Sequence, residues 1–324
     1  MKNVLVTGGA GYIGSILVRL LLAGDYKVRV LDSLLFGGES MLELLNNPKF
    51  DFIKGDIRNA KDRIIAMEGI DYVVNLAAIV GDPACKKHPV LAMQTNLEAL
   101  KSLYIEANKN NIEKFIFAST CSNYGKSKNT ETFMTEESNL EPISLYAKTK
   151  VEAEKYLLSQ AKTNKTKPTC LRFATVYGVS PRLRFDLTVN EFTKELALGR
   201  HLEIFGEQFW RPYCHVQDLA RSVIHVLETD IEKVAYEVFN VGDTNENYTK
   251  KMLAEEMEKQ IPDAKIIYVK KDEDPRDYKV SFEKIKEKLN FQITKKVPDG
   301  IAQVKKVISM GFLSNPDDQK YRNS

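Results

Sequence analysis

The sequence has little that would tie it to an oxidising compartment, a metal or a membrane. Its four cysteines, Cys85, Cys121, Cys170 and Cys214, lie far apart and show no C-x-x-C spacing. Neither a zinc site nor a disulfide framework is indicated, and reduced thiols in a cytoplasmic protein are the expectation. No apolar run approaches the length of a membrane span, and the strand and glycine turn that open the chain leave no room for a secretory signal. Charge of one sign is lacking too. The 47 basic and 44 acidic side chains are scattered to a net charge of +3, with no stripe of Lys and Arg interleaved with aromatics, which argues against a nucleic-acid partner. No internal repeat is present.

What the sequence does have is a strand and helix rhythm. Val4–Thr7, Val28–Leu31, Phe52–Lys54, Tyr72–Leu76, Phe115–Phe117 and Thr169–Phe173 read as buried strands. Helix-like segments such as SILVRLLLAG, VLAMQTNLEALKSLYIEANKNN and Val151–Leu158 stand between them. The alternation predicts an α/β chain, a Rossmann-type doubly wound parallel sheet. Past Val179 the rhythm changes, and Pro181, Pro212, Pro262, Pro275 and Pro298 interrupt shorter elements. We therefore expect a cofactor-binding part over 1–178, with a return segment near 213–242, and a smaller C-terminal α/β subdomain over 179–324 that binds substrate. The polar tail SNPDDQKYRNS is expected to fray.

The opening VLVTGGAGYIG puts Gly8, Gly11 and Gly14 between a strand and a helix. Glycines there let backbone N–H groups and a helix N-terminus approach a pyrophosphate, although such turns also serve only to pack a helix on a strand. Two carboxylates favour the cofactor. Asp32 ends the next strand, where it can accept from an adenosine ribose, and Asp56 in IKGDIR stands where a side chain meets the adenine edge. No Arg follows Asp32 within reach of a ribose phosphate, which favours NAD over NADP.

Oxidising an alcohol with NAD needs a base for the hydroxyl proton. A Tyr can serve if a nearby ammonium lowers its pKa from about 10. Tyr-x-x-x-Lys occurs twice, at Tyr146/Lys150 and at Tyr124/Lys128. PISLYAKTKVEAEKYLL runs into an amphipathic helix, where residues four apart share a face, whereas YGKSKNTET is a polar loop. Tyr146 and Lys150 are the expected catalytic pair.

The motifs TGGAGYIG, GDI, NLAA, STCSNYG and YAKTK, with VFNVG and RPYCHVQDLA further on, resemble the extended short-chain dehydrogenase/reductases that act on nucleoside-diphosphate sugars. The resemblance covers nearly the whole chain. It implies that Gly8, Gly11, Tyr12, Ile13, Gly14, Asp32, Asp56, Ile57 and Ala77 line NAD, and that Lys150 binds the nicotinamide ribose as well as tuning Tyr146. It implies a catalytic hydroxyl at Thr120, which also contacts substrate, and substrate contacts at Ser122, Asn190, Arg211 and Arg276, the two arginines on the diphosphate of a UDP- or GDP-linked sugar. It also implies a homodimer, with the helix after Tyr146 and the one near Leu97–Ala107 pairing across a two-fold.

Some positions depart from better-known members. Sugar 4,6-dehydratases of the family carry acids directly after the catalytic Thr, where this chain has Cys121 and Ser122. UDP-galactose 4-epimerases have Asn and Lys where this chain has Ala174 and Val80. The runs AAIVGDPAC and LRFATVYGVSPRLRFDLTVNEFT look closer to a subgroup that includes GDP-heptose 4-dehydrogenases. The resulting expectation is NAD-dependent oxidation at C4 of a nucleotide sugar, by a 4-epimerase or a 4-dehydrogenase. A 4-ketoreductase, a dehydratase, a steroid- or flavonoid-type ketoreductase and a non-catalytic NAD-binding regulator are the alternatives.

Overall fold

The computed structural model describes residues 1–127, 131–270 and 276–323. Seven strands form the central sheet: β1 (Lys2–Thr7), β2 (Tyr26–Asp32), β3 (Phe50–Lys54), β4 (Tyr72–Asn75), β5 (Lys114–Thr120), β6 (Lys167–Phe173) and β7 (Val238–Val241). Their order is β7-β6-β5-β4-β1-β2-β3, and every neighbouring pair is parallel. The chain changes direction across the sheet between β1 and β4, so a crevice opens where the C-terminal ends of those strands diverge.

Both faces of the sheet are covered, which is why its strands read as unbroken apolar runs. Side chains alternate across β1. Val4 and Val6 pack with Leu17 and Leu21 of α1 (Tyr12–Ala23) and, further along that face, with Leu219 and Val223 of a helix over Val216–Glu228. Leu5 points the other way, into a core with Leu103 of α2 (Leu100–Lys109) and Leu157 of α3 (Leu145–Leu158). Each such buried Leu contributes roughly 1.5–3 kcal/mol, so the two periods, 2 in the strand and 3.6 in the helices, define which residues meet.

The second half of the chain builds a smaller core from Tyr177, Val189, Leu253, Met257 and Ile301, while Val238–Val241 returns to close the large sheet beside β6. The expected long helix over 90–111 is interrupted. A short helix over Pro89–Met93 passes into a π-helical turn over Gln94–Ala99 before α2 begins. Asn96 sits in that turn and holds the loop after β4, accepting from Ile79 N at 2.8 Å and donating to Ile79 O at 3.0 Å.

The tail does not fray as its polarity suggests. Lys194 Nζ lies 2.6 Å from Asp317 Oδ1, Phe185 N donates to Tyr321 O at 2.8 Å, and Asn323 N donates to Asp186 Oδ2 at 3.1 Å. The four cysteines are free and buried. Among the described residues no helix is long and apolar enough to cross a membrane.

Candidate active site

A cleft of about 730 Å³ lies along the C-terminal ends of the sheet strands, from the turn after β1 across to β5 and α3. One wall is the glycine turn. Gly8 has φ +73°, and a Cβ there would stand 2.7 Å from Ala77 N, while a Cβ on Gly14 would run into Gly8 O. Gly11 begins α1 without any side-chain cap, leaving first-turn N–H groups for an anion. These features fit a dinucleotide pyrophosphate. Gly8→Ala should weaken NAD binding about tenfold or more, from roughly 1–3 kcal/mol of backbone strain plus the clash with Ala77. Titration of cofactor fluorescence measures this, and unchanged affinity would remove the turn from the cofactor site.

Asp32 closes the end of β2. Its two carboxylate oxygens accept from Ala10 N at 3.0 Å and Leu34 N at 2.8 Å, which fixes the carboxylate while leaving lone pairs for ribose hydroxyls. Burial pushes its pKa up, and the two N–H donors oppose that. Asp56 also lines the cleft but is engaged by Arg58, whose Nη2 lies 2.6 Å from Oδ2 and whose hydrogen bonds hold the carboxyl below its usual range. Ile57 and Ala77 line the same end, as do Tyr12 and Ile13.

At the other end stand Thr120, Tyr146 and Lys150. Thr120 is the last residue of β5, and its Oγ1 accepts from Ser122 N at 3.1 Å, capping the 3-10 turn over Cys121–Tyr124. Tyr146 lies in the first turn of α3 and lines the cleft beside Thr120. Lys150, one turn later, donates to Ala118 O at 2.7 Å and sits 5.8 Å from the Tyr146 ring centroid. No other described residue hydrogen-bonds that ammonium, so two of its three donors remain for a ligand.

Burial is the largest cause acting on both groups. It raises the Tyr146 phenol, with Cys85 and Asp82 adding to the rise and Arg184 and Thr120 opposing it. It lowers Lys150 to about 8. A desolvated ammonium beside a desolvated phenol is an arrangement that gains when the phenol loses its proton.

Tyr124, which shares the Tyr-x-x-x-Lys spacing, is fully buried and donates to Asn240 Oδ1 at 2.7 Å. Its Lys128 lies outside the described residues. Cys121 turns away from the reacting groups as well, its Sγ reaching Arg172 O at 3.2 Å, and burial pushes the thiol well up.

Of the expected substrate contacts, Ser122, Arg211 and Arg276 line the cleft. Arg211 stacks 5.4 Å over the Tyr278 ring, and Arg276 Nη1 lies 3.0 Å from Asp82 Oδ2 across the opening. Asn190 is different. It is fully buried at the start of a helix over Thr188–Ala197, and its amide is spent on Gly178 N at 2.9 Å, Tyr12 Oη at 3.0 Å and Arg184 O at 2.8 Å. It braces the wall and does not face the cleft.

A family model described as "NAD dependent epimerase/dehydratase family" matches residues 4–242. The chain belongs to that family. Among the curated epimerase relatives, an uncharacterised UDP-glucose epimerase of Bacillus subtilis, YtcB, is 33% identical over 237 residues, 69% of this chain and 72% of the relative. The UDP-glucose 4-epimerase of Lactobacillus helveticus is 31% identical over 257 residues, 74% of this chain and 76% of the relative. Among solved structures, UDP-glucuronic acid 4-epimerase of Bacillus cereus, bound to UDP-glucuronic acid and NAD, superposes with TM-score 0.85 at 27% identity over 95% of this chain and 99% of that one. UDP-glucose 4-epimerase of Thermotoga maritima with UDP-glucose gives TM-score 0.84 at 28% identity over 96% of this chain and 100% of that one. The protein is thus an NAD-dependent enzyme of the extended short-chain dehydrogenase/reductase type.

The epimerase/dehydratase cleft also contains residues that the sequence did not single out. Arg182 and Arg184 lie on its wall, Arg184 paired with Asp186 through bonds of 2.9 and 2.8 Å, and Asn323 reaches it from the tail. The signal was the alternation of arginines in SPRLRFD, part of the run used above for the subgroup resemblance.

Proposed function

We propose that the protein oxidises the C4 hydroxyl of a nucleoside-diphosphate sugar and acts as a 4-epimerase. The observation that carries this reading is the meeting of Thr120, Tyr146 and Lys150 at one end of a cleft whose other end is the glycine turn and Asp32. NAD, when bound, accepts the hydrogen that leaves the sugar carbon with its electron pair. The chain's own residues handle the proton. Thr120 orients the sugar hydroxyl, Lys150 favours the phenolate form of Tyr146, and that phenolate Oη takes the hydroxyl proton to become a neutral phenol, while the spare donors of Lys150 would hold the nicotinamide ribose.

Arg211 and Arg276 supply charge for the sugar's diphosphate. The position after Thr120 argues against water elimination, because Cys121 is a buried thiol aimed at a backbone carbonyl and no acid stands in its place. The names of the relatives, UDP-glucose 4-epimerases among them, support inversion over release of a 4-keto sugar. Assembly as a homodimer through α2 and α3, and a division into a cofactor-binding part and a substrate-binding part from about Val179, belong to the same proposal.

Incubation of the purified protein with NAD and a panel of UDP- and GDP-linked sugars, followed by NMR, is the test. Conversion of at least one into its C4 epimer is expected. A 4-keto product would assign the dehydrogenase outcome, and no turnover, with wild type and Tyr146→Phe equally inert, would overturn the enzymatic reading.

A further inference from the structure

The wall facing the glycine turn carries two polar atoms without partners. Arg182 is 7% exposed, its Nη2 donates to Arg322 O at 3.0 Å, its guanidinium lies 4.5 Å over the Phe36 ring, and its buried Nε has no hydrogen-bond acceptor. The buried Oδ1 of Asn323 is also unpaired, but as an acceptor it does not bind an anion, so Asn323 bears on the docking of the tail alone. Both residues line the cleft. A buried cation with an idle donor is costly, and an anion placed against it removes that cost.

Position indicates which anion. Phe36 lies four residues beyond Asp32, and Arg184 stands 6.0 Å from the Tyr12 ring in the first turn of α1. The segment bearing both arginines is stapled to α1. Tyr12 Oη donates to Gly178 O, Ser180 Oγ donates to Tyr12 O at 2.7 Å, and the hydroxyls of Ser15 and Ser180 meet at 2.9 Å. Arg182 thus lines the cofactor end of the cleft, over Phe36 just past Asp32, on a segment fastened to α1, and a dinucleotide's phosphates are the anions that pass this end. Arg184 is already matched by Asp186, so the unmatched charge on this wall is that of Arg182.

The tail holds Arg182 from behind. Arg322 supplies the carbonyl it donates to, and the tail is itself fastened by Asp317 to Lys194 and by Asn323 N to Asp186.

We propose that Arg182, held in place by the docked segment 317–323, forms a clasp that grips the pyrophosphate of the bound dinucleotide and slows its release. The proposal rests on the reading of this cleft as the NAD site. It gives the docked tail a purpose, since an enzyme that inverts a centre with no net redox change gains from keeping its cofactor between turnovers. The diphosphate of a nucleotide sugar has the same chemistry, but Arg211 and Arg276 serve that end of the cleft.

The experiment compares full-length wild type, Arg182→Ala, Arg182→Lys and Asn323→Ala for NAD affinity and release rate by stopped-flow fluorescence, with UDP affinity measured in parallel and folding checked by thermal melting. Arg182→Ala is expected to weaken NAD about tenfold or more and to speed its release, Arg182→Lys to restore part of the loss, and Asn323→Ala to show a smaller effect. UDP affinity should hold in all of them. If Arg182→Ala does not fold, Arg182→Lys carries the comparison. Unchanged NAD release in a folded Arg182 variant, or a loss that falls on UDP in place of NAD, would overturn the clasp. A wild type that binds no NAD would overturn it together with the site reading beneath it.

Discussion

Tyr146→Phe is expected to lower kcat by about a thousandfold while leaving NAD affinity near that of wild type, as read by steady-state kinetics beside a cofactor titration. The substitution removes one oxygen and keeps the ring. That oxygen is the proposed proton acceptor, and Lys150, 5.8 Å from the ring centroid, is the cation that can stabilise its charge. A loss of about a thousandfold corresponds to roughly 4 kcal/mol of barrier, within what a positioned general base supplies. Because Lys150 keeps its bond to Ala118 O, the cofactor end of the cleft should be undisturbed. A variant with more than about a tenth of wild-type kcat would show that another group takes the proton.

The second large effect concerns stability. Behind Thr120 lies a buried polar network with Glu154 and Arg172 at its centre, 1% and 4% exposed. Arg172 reaches Glu154 through Nη2 at 2.8 Å and Nε at 3.1 Å, Ser119 Oγ donates to the same carboxylate, and Asn123 Nδ2 donates at 3.0 Å. Arg172 Nη1 also donates to Tyr124 Oη at 3.0 Å. Burial alone would lower Arg172, but the bonds and charge of Glu154 outweigh it and hold the guanidinium above its ordinary range.

Glu154→Ala strips that buried cation of its counter-charge, and the expected cost is about 3–5 kcal/mol of unfolding free energy, measured by denaturant titration. Glu154→Gln, which keeps an acceptor, should lose less. Replacing Glu154 and Arg172 together with apolar residues should recover part of the loss, since an intact buried pair gains little over packed hydrocarbon once both charges have been taken out of water. A loss below about 1 kcal/mol for Glu154→Ala would mean that water reaches Arg172. The network also orients the end of β5, so the surviving fraction of Glu154→Ala should turn over more slowly than wild type.

The sheet was legible because its physics is local. A strand covered on both faces must be apolar throughout, so Val4–Thr7 and Phe115–Phe117 announced themselves. The glycine turn and Asp32 were legible because each answers a geometric need that few other residues meet. The expectation of Tyr146 over Tyr124 required only the difference between a helix and a polar loop, whereas the burial of Tyr124 against Asn240 was not legible from the polar run that follows it.

What could not be read depends on contacts between distant segments. The tail carries Asp317, Asp318, Lys320 and Arg322, a composition that suits solvent, yet Asp317 meets both Lys194 and Arg200 from far along the chain. Asn190 sits where a substrate amide was plausible by resemblance, and four hydrogen bonds to Gly178, Tyr12 and Arg184 consume it. Arg182 and Arg184 become site residues only because Ser15, Tyr12 and Asn190 pull their segment onto α1. The π-helical turn at Asn96 has the same origin, since its amide follows the backbone of Ile79.

The central claim is chemistry at C4, and one measurement addresses it without reference to the nucleotide or the fate of the product. A nucleotide sugar that the enzyme converts, labelled with carbon-13 at C4, is followed by carbon NMR during turnover. The labelled carbon should change, to the inverted alcohol or to a ketone, while the other ring carbons keep their configuration. Product formation with the C4 label unaltered, and the change found at C3, C5 or C6, would contradict the account.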